Sequence, residues 1–155
     1  AVFIDQVQCR ETMRTIVRLG SRVPLHASGV GKAIFATLPD EKVDAILKVN
    51  GLPRITDNTI TSPDTMWAAL RVIRQRGFSF DDAEHLVGTR CVASPIYDEH
   101  AECLGAISIA GPVSRLPDAR IRQLGPVVAH TAEEITRKLG GRWPHPHRVG
   151  PGASV

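Results

Sequence analysis

The chain has 155 residues, 43% of them hydrophobic, and a formal net charge of +3. That length supports one domain with its own core, and no apolar run approaches the roughly 20 residues a membrane-spanning helix needs. Lysines and arginines are interleaved with acids, a balance too mild to argue for nucleic-acid binding by this segment. Cys9, Cys91 and Cys103 form an odd set with no close pair, which favours reduced thiols in a cytoplasmic compartment over a disulfide framework.

The opening Ala1-Val2-Phe3-Ile4 carries no starting Met and no signal-peptide pattern, and predicts a piece of a longer protein. Residues 1–7 and 15–19 read as strands joined by a polar connection over 8–14. Residues 29–38 read as a short helix, with Val30, Ala33, Ile34 and Leu38 at helical spacing. A second helix starts at Pro39-Asp40, presents Val43, Ile46 and Leu47 on one face, and ends at Asn50-Gly51-Leu52-Pro53. A Thr-rich loop spans 54–62. Ser62-Pro63 opens a third helix with Pro at its first position, carrying Met66, Leu70 and Ile73 to a stop at Gly77.

Residues 78–81, 89–97 and 103–111 read as strands. The polar turn Asp98-Glu99-His100-Ala101-Glu102 makes an antiparallel hairpin of the last two. Leu116-Pro117-Asp118 opens a long helix with Ile121, Leu124, Val128, Ile135 and Leu139 on its apolar side. Gly125-Pro126 is a candidate kink, and Gly140-Gly141 a stop. From Arg142 the Pro-, Gly- and His-rich remainder, 142–155, reads as a disordered tail, leaving 1–141 as one domain.

Alternation along the hairpin strands separates two faces. Ile107 and Ile109 share a bulky face with Val92 and Ile96, suited to the long terminal helix. Cys91, Ala93, Ala106, Ser108 and Ala110 floor the other face. Small residues on adjacent strands imply either a very close neighbour or an open pocket. The stretch Pro24-Leu25-His26-Ala27-Ser28-Gly29-Val30-Gly31-Lys32-Ala33 runs from extended chain into a helix. The first amides of a helix have no internal acceptor and carry the positive end of its dipole, and glycines admit an anion close to them. The same pattern also describes a plain Ser28 cap.

Asp81 and Asp82 are either solvated loop acids or, for Asp81 facing the small-residue side, an acceptor for a ligand hydroxyl. Cys91 is a candidate nucleophile or redox sensor with His85 or His100 as base, or else a small apolar filler. Nothing among His26, His85, His100 or His145-Pro146-His147 has metal-ligand spacing, so no metal or cofactor is expected. Gly29-Val30-Gly31-Lys32-Ala33 is not a P-loop, because Ala33 replaces the hydroxyl that would hold magnesium.

Residues 23–33 resemble the signature of the effector-binding domain of IclR-type transcriptional regulators. Three further stretches agree in the same order: 76–85, running from Arg76 to His85; 88–98, running from Gly88 to Asp98; and 106–115, running from Ala106 to Arg115. The likeness extends from about residue 1 to Gly141 and is strongest to the branch of glyoxylate-bypass and allantoin regulators. It implies an α/β (α+β) fold of the GAF/PAS kind, a curved antiparallel sheet flanked by helices. It also implies a non-enzymatic sensor of a small carboxylate, which controls DNA binding through an N-terminal winged helix-turn-helix absent from this chain. Self-association as a homodimer or homotetramer is implied as well, with no membrane contact. By the same resemblance the amides of Gly29 and Val30 hold the ligand carboxylate, and Asp81, Cys91 and Ser108 contact the rest of it. Two positions depart from the branch: Ala110 stands where it has serine, and Thr89 where it has leucine. A lost hydroxyl in a polar site costs about 1–3 kcal/mol, which points to an acid larger or less polar than glyoxylate.

Overall fold

In a computed structural model, residues 1–11 and 14–144 are described. Thr12 and Met13 of the expected polar connection, and residues 145–155 of the expected tail, His145-Pro146-His147 among them, lie outside them. The described elements run in the order α1 (Gly29–Thr37), α2 (Asp40–Asn50), α3 (Pro63–Arg76), β1 (Ser79–Asp82), β2 (Thr89–Tyr97), β3 (Cys103–Pro112) and α4 (Asp118–Lys138). The strands form one antiparallel sheet in the order β1-β2-β3.

Alternation assigns the two faces of that sheet. Val92 is fully buried and packs with Leu116, Ile121 and Val128, flanked by Phe78, Phe80, Ile107 and Leu124. This is the bulky face, and α4 covers it. Gly125 lets α4 come down on the sheet, since a Cβ there would overlap the ring of Phe78. The helix runs on through Pro126 to Lys138. On the opposite face Ala93 meets Val23, Val30 and Ala33, so α1 lies against the small residues. On the outer side of α1, its Phe35 and Ala36 pack with Val43 of α2 and Met66, Leu70 and Ile73 of α3, using the apolar stripes their spacing predicts. The order of layers is therefore α4, sheet, α1, then α2 and α3.

Two expectations are corrected. Residues 1–7 and 15–19 do not form strands. The first segment instead makes an isolated antiparallel bridge, between Val2 and Arg22 just beyond the second, supported by the Phe3 amide on the Ser21 carbonyl at 3.1 Å. Their alternation suits a strand, but no layer covers the outward side: Ile4 is 88% exposed and Val7 96%. Leu139, assigned to the apolar side of the last helix, is exposed, because the helix ends one residue earlier and the chain turns away there. Arg142 to Trp143 then pack back on the body. The Arg142 amide bonds to the Asp98 carbonyl at 2.8 Å, and the Trp143 ring meets Tyr97 edge-on at 5.1 Å.

Candidate functional site

The start of α1 is built by Ser28. Its backbone is extended, its hydroxyl oxygen accepts from the Gly31 amide at 3.0 Å, and its hydroxyl donates to the Pro24 carbonyl at 2.7 Å. The Ser28 carbonyl takes the Lys32 amide at 2.8 Å. Gly29 and Val30 supply the remaining first-turn amides, which a helix cannot satisfy internally. This end of α1 lies directly on β2: a Cβ on Gly29 would sit 2.7 Å from the Cys91 sulfur. The Cys91 thiol points to the Val92 carbonyl at 3.9 Å, and the Val30 amide and the Ser108 hydroxyl are near enough to favour its ionised form.

The register places the other predicted residues beside it. Asp81 pairs with Cys91, and Cys91 with Ala110. Ala93 pairs with Ser108, and Thr89 lies two residues before Cys91 on the same face. All seven predicted residues, Gly29, Val30, Asp81, Thr89, Cys91, Ser108 and Ala110, therefore gather on one side of the sheet at the start of α1. Both readings of the small-residue face apply to different parts of it. Over β2 the helix is a close neighbour, and Gly29, Val30, Asp81 and Cys91 are buried. Over β3 the face is open, with Ser108 and Ala110 exposed and Thr89 half-buried.

Burial governs the electrostatics. It pushes the Asp81 carboxyl up to about 6, with nearby Glu84 adding to the rise. The Glu84 amide, bonded to Asp81 Oδ1 at 2.8 Å, and the Lys32 ammonium work against it. The Cys91 thiol is driven up to about 12, first by burial and then by Asp81. It is thus neutral at ordinary pH, the wrong state for a nucleophile. His85 is held below the usual imidazole range by burial and by His26. His26 itself is fixed by its Nε2 contact with the Pro53 carbonyl at 3.0 Å. His100 sits in the β2–β3 turn, at the opposite end of β2 from Cys91. No group of three His, Cys, Asp or Glu side chains among the described residues could hold a metal ion.

Two residues that the sequence reading did not single out stand behind this site. Lys32 and Glu84 form an ion pair with side chains 3% and 7% exposed, and the Lys32 ammonium also donates to the Phe80 carbonyl. The Thr-rich loop supports the same place: the Thr59 hydroxyl donates to the Glu84 carbonyl at 2.7 Å, and the Thr56 hydroxyl to the Ala83 carbonyl at 2.8 Å. The available signal was Lys32 itself, inside a run of small and apolar residues on a nine-residue helix. A lysine enclosed there needs a buried partner. A separate cavity of about 340 Å³ lies at the far end of α1, between Leu38, Arg74, Tyr97 and Trp143, and none of the seven residues lines it.

Residues 1–137 match the family model described as the bacterial transcriptional regulator IclR C-terminal. Over 141 residues, 91% of this chain and 52% of the relative, the chain is 48% identical to the acetate operon repressor of Salmonella typhimurium. It is 46% identical to the transcriptional repressor IclR of Escherichia coli over the same shares. The HTH-type transcriptional repressor AllR of Escherichia coli is 41% identical over 90% of this chain and 52% of its own length. The chain thus spans about half the length of these curated relatives, which are named as repressors rather than enzymes. The crystal structure of the Thermotoga maritima IclR superposes with a TM-score of 0.84 at 35% identity, over 90% of this chain and 56% of that one. The Acinetobacter PobR inducer binding domain, solved as a double mutant in complex with 3-hydroxybenzoic acid, superposes with a TM-score of 0.71 at 28% identity, over 77% of this chain and 69% of that one.

Proposed function

The chain belongs to the IclR family of bacterial transcriptional regulators through its C-terminal domain, and from that premise we propose that it is an effector-sensing domain. It binds a small carboxylate at the start of α1 and sets the DNA affinity of a winged helix-turn-helix module that lies N-terminal to it. The observation that carries this reading is the meeting of unlike groups at one place: first-turn amides at Gly29 and Val30, and a buried acceptor, Asp81, paired in register with Cys91. The amides take the carboxylate. Asp81 accepts from a hydroxyl or other donor elsewhere on the ligand, since a second acid without a donor would be repelled. Cys91 and Ser108 line the space between, and Thr89 and Ala110 shape its open side. The absence of a hydroxyl at Ala110 favours an acid larger than glyoxylate. The PobR inducer binding domain, solved with a hydroxylated carboxylic acid, supports that ligand class.

Ligand binding changes DNA affinity only by favouring one arrangement of the protein over another. In this reading that arrangement is a homodimer or homotetramer in the cytoplasm, formed partly by this domain. The competing chemistry, a thiol hydrolase or redox sensor built on Cys91, is disfavoured by a thiol held at about 12. Thermal unfolding with glyoxylate, pyruvate, ureido acids and hydroxybenzoates tests the proposal. An acid at about 100 times its Kd adds about 2.7 kcal/mol, a rise of roughly 5–10 °C for a domain of this size. Retention of that rise in a Gly29→Val variant, or no rise with any acid, overturns it.

A further inference from the structure

A buried ion pair is a poor stabiliser, because desolvation offsets most of its attraction and an apolar pair of similar volume serves as well. The Lys32–Glu84 pair is also incompletely satisfied: Glu84 Oε2 is buried with no hydrogen-bond partner among the described residues. What the pair does is geometrical. The Lys32 ammonium grips the chain on both sides of Asp81, at the Phe80 carbonyl before it and the Glu84 carboxylate after it. Glu84 in turn gives its amide to Asp81 Oδ1 at 2.8 Å. The turn between them passes through Ala83 at φ +55°, a left-handed conformation that an alanine holds only under constraint. Thr56 and Thr59 hold that turn from outside through the Ala83 and Glu84 carbonyls. Lys32 sits one turn into α1, the helix whose first amides face the same site.

Resting on the carboxylate reading above, we propose that Lys32 is a positioning residue. Through Glu84 and the Phe80 carbonyl it fixes the Asp81 carboxylate at a set separation from the start of α1, and so makes the site select acids that carry a hydrogen-bond donor over those that do not. Lys32 touches no ligand. It adds a second tie between α1 and the Asp81 segment, which the Ser79 hydroxyl already joins at the other end of β1 by donating to the Gly29 carbonyl at 2.6 Å. The charged and titratable side chains facing Asp81 are Lys32 from α1, Glu84 from the following turn and Cys91 from β2, while His85 contributes its backbone amide. Loss of Lys32 also removes the cation that favours the ionised form of Asp81.

The test is titration calorimetry at pH 7.5 with two matched pairs of acids, lactate against propionate and 3-hydroxybenzoate against benzoate. The intact site prefers the donor-bearing member of at least one pair by about tenfold or more, as one charged hydrogen bond implies. In Lys32→Met that ratio collapses to within about twofold, while affinity for the acid lacking the donor changes less than about threefold. The pH midpoint for binding the donor-bearing acid moves upward. Lys32→Met/Glu84→Met, which leaves no orphan charge, shows the same collapse if the single variant does not fold. Lys32→Arg/Glu84→Asp, which keeps both charges and the combined length, restores selectivity. A ratio that survives in both the single and the double Met variant, or an equal loss for both acids of a pair, overturns the positioning role and leaves the carboxylate site standing. Binding of none of the four acids by the unaltered protein overturns the carboxylate reading and this inference with it.

Discussion

Gly29 is the position where helix and sheet come closest at the candidate site, and the cost of crowding it can be worked from the contacts. A Cβ placed there would lie 2.7 Å from the Cys91 sulfur, 3.2 Å from the Cys91 Cβ and 3.4 Å from its carbonyl oxygen. Unstrained carbon contacts lie at about 3.5–4.0 Å, so the sulfur contact is about 1 Å too short. Either α1 backs off the sheet or Cys91 leaves its rotamer, and overpacking of this kind costs about 1–3 kcal/mol. Removing the sulfur leaves 3.2 Å as the shortest contact, which a shift of a few tenths of an ångström relieves. Gly29→Ala should therefore cost about 2 kcal/mol, Cys91→Ala about 1 kcal/mol, and the double variant less than the sum by about 1–2 kcal/mol. Urea unfolding of the four proteins measures the cycle, with unchanged denaturant slopes as the check that the unfolded state is the same. Effects that add to within about 0.5 kcal/mol would refute direct contact between α1 and β2 at this point.

Three further outcomes follow from the same geometry. The Asp81 carboxyl, near 6 when folded and near 4 when unfolded, favours its protonated form in the folded state, so stability falls as pH rises from about 4 through 6, by roughly 3 kcal/mol in all. Asp81→Asn keeps an acceptor for the Glu84 amide without the charge; it should be about 1–3 kcal/mol more stable than the parent at pH 7.5, with the gap closing toward pH 4.5. A constant or reversed gap in denaturation across that range counts against a buried carboxyl that is harder to ionise in the folded state. Exposed Cys9 and buried Cys91 should separate cleanly under iodoacetamide at pH 8: mass spectrometry finds Cys9 alkylated in the native protein and Cys91 only in denaturant, whereas native labelling of Cys91 would reopen a reactive-thiol role. Gly125→Ala should lose about 1–3 kcal/mol by driving a methyl group into the Phe78 ring, and Phe78→Leu in the same chain should recover part of it; a neutral single substitution would mean that α4 does not approach as closely as described.

The helices and the three sheet strands were legible because each carries its own punctuation. Pro63 opens α3 and Gly77 closes it, and the alternation in β2 and β3 assigns Val92 and Cys91 to the faces they occupy. Helix-start chemistry and strand alternation pointed to Gly29, Val30, Asp81, Cys91, Ser108 and Ala110 separately, but joining them with Thr89 into one candidate site took the resemblance, since no local rule brings Asp81, Cys91 and Ala110 into register across three strands. The N-terminal strands failed for the converse reason. Val2, Ile4 and Val7 have the composition of a strand, but strand pairing depends on what covers the face, and here their side chains stand in the open. Lys32 and Glu84 were missed because 52 residues separate them, and a charge pattern read along the chain cannot report a partner that far away. The Thr-rich loop reads as a connection, yet its hydroxyls hold the turn that follows Asp81.

Helix α1 touches the candidate site at one end only. At its other end the Arg74 guanidinium of α3 donates to the carbonyls of Ala36 and Leu38 at 2.8 and 2.9 Å and pairs with Asp40 at the start of α2. Between these ends the helix is enclosed along most of its length and is about 13 Å long. A close-packed rod of that kind does not absorb displacement by bending. A ligand that lifts Gly29 off Cys91 must therefore slide or tilt the rod as a whole, and the movement emerges at Arg74, in the pair of outer helices, on the side of the domain away from the sheet.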